Sequence, residues 1–271
     1  MKKRVFRIIF LFAATLTAAA ASAFWQETGI DPEVLIDQIL AVEAQQRDQI
    51  RDMTLDAEYI EGKREKDGAM KEEKRFLKTV YLQFLLDTTL FREEYLEYYK
   101  EGELQSEEEL TGQAKEQTEK RRKRKTRHIG YPMLEPFTPD HGNDYTMDYL
   151  GVAQERIDGY VCHHFRVTAL ERDSEHLNGD YYFEAETFHL VRVDFEPAKL
   201  SKNIMFRLSQ LDMSIQYSPT PDGYWLPHRF ELLGKGRAAL FFGINFAAVE
   251  RYSNPRINTG IQADIFEEKH D

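Results

Sequence analysis

The sequence predicts a mainly β fold of the α+β class, built on one antiparallel sheet with one face on a core and the other in water. Three observations lead there. The stretch from Tyr145 to Pro197 alternates apolar and polar residues with period two, as in FHLVRVDFEP, where Val191, Val193 and Phe195 oppose Arg192, Asp194 and Glu196. Turn dipeptides separate the alternating runs, namely Asp158-Gly159 and Asn178-Gly179. A helical period is confined to short segments near the start and middle of the chain.

Taken from the start, MKKRVFRIIFLFAATLTAAAASA places Lys2, Lys3, Arg4 and Arg7 before an apolar run and ends in Ala21-Ser22-Ala23, which reads as a secretory signal over 1–23. The rival, a membrane anchor, has an apolar core that is short for a span. No Cys follows the small residues, so the acceptor of a bacterial lipoprotein anchor is absent. One domain over 24–271 is expected, exported to the periplasm or secreted, with no stable membrane span after cleavage. The net charge of −11 becomes −15 without the four basic residues of the signal. Such an acidic chain argues against nucleic-acid partners and against an electrostatic hold on anionic lipid. Cys162 is the only cysteine, so no internal disulfide forms and stability rests on the core.

Asp31-Pro32-Glu33 is a helix start: a side chain that accepts from free amides, a proline suited to the first turn, and an acid at the positive dipole end. Leu35, Ile39, Val42, Ile50 and Met53 follow at helical spacing, interrupted by Gln46, giving an amphipathic helix of about five turns packed on the sheet. TLDAEYIEG opens the sheet, Lys66-Asp67-Gly68 turns it, and the Val, Tyr, Phe and Thr content up to Gln105 supports about three strands with a hairpin tip at Glu101-Gly102.

Residues 106–128 begin with the capping-box spacing Ser106 to Glu109 and end in a basic run. They read as a solvated helix or loop, with Lys120, Arg121, Arg122, Lys123, Arg124 and Lys125 as a candidate docking patch for an envelope protein partner. Pro132, Pro136 and Pro139 make the next stretch an extended loop whose Tyr131, Met133, Leu134 and Phe137 are apolar enough to cover a sheet edge or the mouth of a cavity.

In the meander that follows, Tyr145, Met147 and Tyr149 share one face, as do Val161, His163, Phe165 and Val167, with Cys162 on the opposite parity as an ordinary half-buried thiol. After it, Leu211, Met213, Ile215 and Tyr217 share a parity, and Tyr224, Leu226, Phe230 and Leu232 return beside them, with Trp225 on the other parity. Pro227 marks an edge, a bulge or an unclosed seam. RAALFFGINFAAVERYS reads as a strand covered on both faces, bent at Gly243.

The order YLGVAQERIDGYVCHHFRV, Asn-Gly, YYFEAETFHLVRVDFE, DGYWLPHRFEL resembles the second half of periplasmic proteins related to lipoprotein-sorting carriers of the LolA/LolB type. The resemblance extends over most of residues 24–271 and rests on turn and strand order. It implies a strongly curved sheet forming a half-open barrel, helices on its concave face, and an acyl chain held between them. No family residue maps position by position.

Candidate chemistry is sparse. There is no nucleophile elbow, phosphate loop or dinucleotide glycine pattern, so no catalytic residue is assigned and no cofactor is implied; a hydrolase stays open as an alternative. His163, His189 and His228 share the apolar parities. A zinc site would require curvature to join strands roughly 9–10 Å apart, so no metal is assigned. Asp56/Glu58 and Asp194/Glu196 fit the solvated sides of their strands. The positive signal is aromatic: Tyr149, Phe165, Phe183, Val193, Phe195, Trp225 and Phe230 are candidate contacts for a lipid or lipoprotein acyl chain, or fill a core. The alternative function is an interaction module using the sheet and the 106–128 segment.

Overall fold

The computed structural model describes residues 31–65, 68–85, 88–123, 134–173, 176–200, 206–238 and 242–267. The signal segment 1–23, residues 66–67 of the first turn, Arg124, Lys125 and residues 131–133 of the proline loop lie outside them, as do the side chains of residues 121–123.

Helix α1 spans Pro32–Gln49, with Asp31 Oδ1 accepting from the Glu33 amide at 3.0 Å. Strands β1 (Asp52–Arg64), β2 (Met70–Phe84), β3 (Thr89–Lys100) and the two-residue β4 (Glu103–Leu104) follow, then helix α2 (Glu107–Lys123). A short 3-10 turn at Glu135–Phe137 leads to β5 (Tyr145–Val152), β6 (Cys162–Ala169), β7 (Leu177–Glu184), β8 (Leu190–Pro197), β9 (Phe206–Pro219), β10 (Trp225–Ala238) and β11 (Phe242–Ile257). All eleven strands form one antiparallel sheet in the order β4-β3-β2-β1-β11-β10-β9-β8-β7-β6-β5. Its first and last strands do not pair, so it is a half-open barrel, with α1 packed on the inner face.

Register gives that face its continuity. Tyr149, Phe165, Tyr181, Val193, Ile215, Phe230 and Glu250 are successive cross-strand partners from β5 to β11. Because side chains alternate, every residue of this row points to the same side. Two bulges keep it in phase: the shifts at Tyr182/Phe183 and at Pro227/Arg229 each insert a residue and re-aim the strand beyond. The second corrects the parity expected for Trp225. It packs in the same core cluster as Phe165, against which Phe230 also packs.

Several local expectations are corrected. Asn178-Gly179 is not a turn but lies inside β7: Asn178 Oδ1 accepts from the Ala169 amide at 3.0 Å, and a Cβ on Gly179 would lie 3.0 Å from the Asp194 carbonyl oxygen. The glycine serves close strand approach rather than positive φ. The true reversals are Asp158-Gly159 (φ 50° and 93°) and Glu101-Gly102 (φ 50° and 86°). Helix α1 ends at Gln49, so Ile50 and Met53 belong to its exit and to β1; the buried stripe is Leu35, Ile39, Glu43 and Gln46. Strand β11 is covered on both faces only in its middle, at Ala247 and Ala248, while Phe242 at its start is 71% exposed. Cys162 is buried within the core, because its strand start is roofed by the preceding loop, whose Tyr160 carbonyl takes the thiol at 3.7 Å. The 106–128 segment is helical, and Ser106 Oγ accepts from the Glu109 amide at 3.3 Å.

Gly62 sits at the β1–β2 bulge with its Cα facing the β2 backbone, where an added Cβ would lie 2.0 Å from the Lys71 carbonyl oxygen. Gly62→Ala is expected to destabilise the fold by about 2 kcal/mol or more, read as a lower urea midpoint. An unchanged midpoint would mean that this strand pair is not as close as described.

Candidate functional site

The inner face divides into a filled part, a charged part and a partly open lane. The filled part lies over β5–β9 and the first half of β10. Phe165, Phe183, Val193, Phe195 and Trp225 are buried there, with Tyr149 and Phe230 packed partly buried against them. Structure thus brings all seven candidate contacts to one face. Leu35 and Ile39 of α1 pack over this group together with Leu134 and Phe137 of the proline loop. Phe137 meets Phe165, Tyr181 and Phe183 edge-on at centroid distances of 5.6, 5.1 and 5.4 Å. Such T-shaped pairs add about 0.5–1.5 kcal/mol each beyond area burial. The loop therefore plugs the inner face rather than lying along the sheet edge.

Helix α1 is held by polar ties at two places, the end of the helix, where Asn258 Nδ2 donates to the Gln49 carbonyl at 2.7 Å, and Gln46. Gln46 Nε2 donates to the Trp225 carbonyl at 3.0 Å and Gln46 Oε1 accepts from the Trp225 amide at 2.7 Å, both buried. The residue that interrupts the apolar stripe is thus one of the helix's anchors. One turn before it, Glu43 is 7% exposed and its Oε1 has no hydrogen-bond partner. Burial raises its pKa from 4.5 to about 7, with Arg47 opposing. The cover therefore carries a group that resists being covered.

The charged part lies on β1, β2, β3 and β11. Lys78, 2% exposed, ion-pairs with Glu93 and, at 2.6 Å, with Glu250. Tyr95 Oη donates to the other Glu93 oxygen at 2.9 Å, and the Lys78 ammonium lies 5.3 Å from the Tyr59 ring centroid. Its register partner on β1 is Ala57, whose small side chain lets the lysine stem cross towards β11. Nothing in the local sequence marks this cluster: Lys78 sits at an inward parity between Phe76 and Val80, and only the strand order brings Glu250 to it.

The lane lies on β9–β11. Leu211 pairs with Gly234 and Gly234 with Phe246, while Leu232 pairs with Met213 and Ala248. The Phe246 ring occupies the space a Cβ on Gly234 would need. Leu211, Leu232, Ile244 and Phe246 are only half-buried and belong to neither core cluster. Phe230 links this lane to Glu250.

The histidines take separate roles. His163 Nδ1 lies 2.9 Å from Tyr149 Oη, His189 stacks on Trp225 at 5.3 Å, and His228 is the extra residue of the β10 bulge. Desolvation lowers the pKa of all three. Among the described residues, ligand atoms close enough for a metal occur only at exposed Glu171 and half-buried Asp173 and His176, where Asp173 already holds His176 Nδ1 at 2.9 Å. The Cys162 thiol is pushed up to about 12 by burial, the condition of an inert thiol. Of the basic patch, Lys120 is exposed and pairs with Glu116 at 2.6 Å. No described helix is long and apolar enough to cross a membrane.

No family model and no curated protein matches the chain. Solved structures do. A protein domain assigned to outer membrane lipoprotein sorting from Vibrio parahaemolyticus is similar over 86% of this chain and 97% of its own, at 12% identity and a TM-score of 0.43. A DUF1329 family protein from Desulfovibrio piger covers 88% and 98%, at 14% identity and a TM-score of 0.42. A LolA superfamily protein from Nitrosomonas europaea covers 85% and 97%, at 12% and 0.34. Two of the three carry the family description that the strand and turn order resembles. At TM-scores below 0.5 they bear no weight in the functional reading.

Two outcomes test this site. Glu43 is neutral in both states below about pH 4.5; above that, the unfolded chain loses the proton while the folded one keeps it up to about pH 7. Stability is therefore lost as pH rises from 4.5 to 7, by about 3 kcal/mol in all. Glu43→Gln should recover most of this at pH 8 and nothing at pH 4 in urea titrations; equal effects at both pH values would contradict the burial of a carboxyl here. Lys78→Met should cost about 3–5 kcal/mol by leaving two buried carboxylates without the lysine's counter-charge, while Lys78→Met with Glu93→Met and Glu250→Leu should recover most of that loss. A triple variant no better than the single would show that packing, not charge, dominates the site.

Proposed function

We propose that the protein is exported and non-enzymatic, and that it binds a lipid or lipoprotein acyl chain on the inner face of the half-barrel. The observation that carries this reading is the lane of Leu211, Leu232, Ile244 and Phe246, apolar, inward-facing and only half covered. An acyl chain lying along it gains about 0.8 kcal/mol for each methylene removed from water, so eight methylenes are worth about 6 kcal/mol. Helix α1 and the Phe137 loop act as movable covers. When they lift, the aromatic floor of Phe165, Phe183, Val193, Phe195 and Trp225 extends the lane, with Tyr149 and Phe230 at its margins. The buried, unpartnered Glu43 carboxyl favours lifting α1, against the Gln46–Trp225 clasp and the Asn258–Gln49 hydrogen bond that hold it. The ligand needs no charge on its tail, which agrees with an acidic protein that has no electrostatic hold on anionic lipid.

A second reading, an envelope interaction module, draws on α2, which is solvated along most of its length and leads into the basic run.

Displacement of a fluorescent fatty acid tests the first reading. Leu232→Asp is expected to weaken binding at least tenfold. Leu233→Asp, one residue on and facing the opposite side, should leave it unchanged. Equal effects of the two, or no binding by the parent protein, would reject the lane as the ligand surface.

A further inference from the structure

We propose that the outer face of β6–β10 is a docking site for the basic run 120–127 of a second copy of this chain. The outward residues Arg166, Asp180, Asp194, Ser214 and Glu231 form one row of direct cross-strand partners. With Glu196 and Asp212 beside them, they line an open trough of ≈ 530 Å³ in which five carboxylates face two guanidiniums, those of Arg166 and Arg192. Both guanidiniums are engaged, Arg166 with Asp180 at 2.9 Å and Arg192 with Asp194 at 2.8 Å, while Arg229 beside the trough pairs with Glu231 and Gln210 donates to Asp212. Among the described residues no salt bridge reaches Glu196 or Asp212. The trough therefore keeps a negative field over its floor.

Ser214 adds an independent sign of a missing ligand. It is 9% exposed, lies in register between Asp194 and Glu231, and its Oγ has no hydrogen-bond partner. Buried hydroxyls normally find one. The oxygen is covered as the side chains stand, and a donor in the trough reaches it once they part, with carboxylates on either side. An ammonium or guanidinium supplies that donor together with the complementary charge.

The chain itself carries such a segment. Seven of the eight residues from Lys120 to Arg127 are Lys or Arg, in a protein of net charge −11. The described segments on either side of the run are anchored away from the chain's own trough. Helix α2, which leads into the run, is tied to inward-facing Lys74 through Gln113 at 3.0 Å, and the chain after it re-enters the inner core at Leu134 and Phe137. Both anchors are on the inner face, and the trough is on the outer one. The run of one copy is thus offered to the trough of another. The contact joins two different patches, so it closes as a reciprocal pair or propagates head to tail.

Sedimentation of the full chain at about 20 mM and 500 mM salt tests this, alongside a labelled peptide of residues 118–128. The parent should self-associate at low salt and dissociate at high salt. Neutralising the run (Lys120→Gln through Lys125→Gln) or the trough (Glu196→Gln with Asp212→Asn) should each give a monomer. The peptide should bind the run-neutralised protein, at least tenfold more weakly once the trough is also neutralised, and about threefold more weakly with Ser214→Ala. A parent that stays monomeric at low salt overturns the proposal; if it still binds the peptide, the trough serves a different basic partner. Association that survives trough neutralisation overturns it as well.

Discussion

The structure depends on holding one face of an eleven-stranded sheet in phase, apolar along most of its width. Side chains alternate with period two, so a one-residue slip in any strand would turn that strand's apolar set to water and its charges to the core. The pairings hold the phase through several irregularities, among them those at Thr54/Asp56, Leu77/Lys78, Tyr182/Phe183 and Pro227/Arg229. Each inserts a residue where the sheet must bend, and each re-aims the residues beyond it. Pro227, which has no amide to donate to a ladder, sits at one of these shifts in a central strand.

On that face the chain spends stability in two places. A lysine and two glutamates are withdrawn from water beside β1, although apolar side chains of the same volume would be at least as stable. A carboxyl is tucked under α1 with one oxygen unpaired. The first is nearly saturated by its own partners and fixes how β3, β2 and β11 face one another. The second has no such compensation. It sits on the element that covers the core, so its cost is released when the cover moves. A packed floor, a half-open lane and a cover under internal tension are physically consistent with reversible binding of an apolar chain.

Much of the fold was legible in the sequence because the signals were local. Strict alternation gave β5 to β8 and their facing, Asp31-Pro32-Glu33 gave the start of α1, Ser106 with Glu109 gave the cap of α2, and the positive-φ dipeptides Asp158-Gly159 and Glu101-Gly102 gave two reversals. Errors arose where a local signal has two uses. Asn178-Gly179 looks like a hairpin, but the glycine lets β8 approach and the asparagine caps a neighbouring amide. Parity counting failed at Trp225 because a bulge intervened. The candidate contacts were found as a set, since aromatic parity is readable. Whether helix or ligand covers them was not, because that depends on Leu35, Ile39 and Phe137 arriving from distant segments. The Lys78 cluster and the outer trough were invisible for the same reason: their members meet only through the order of strands.

Native mass spectrometry of protein purified without detergent, before and after incubation with fatty acids and phospholipids, is the most direct test of the inner face as a ligand surface. A stoichiometric lipid adduct, lost when Leu232 is replaced by Asp, is the result expected. A mass that stays bare under all of these conditions would contradict it and leave the inner face as a packed core only.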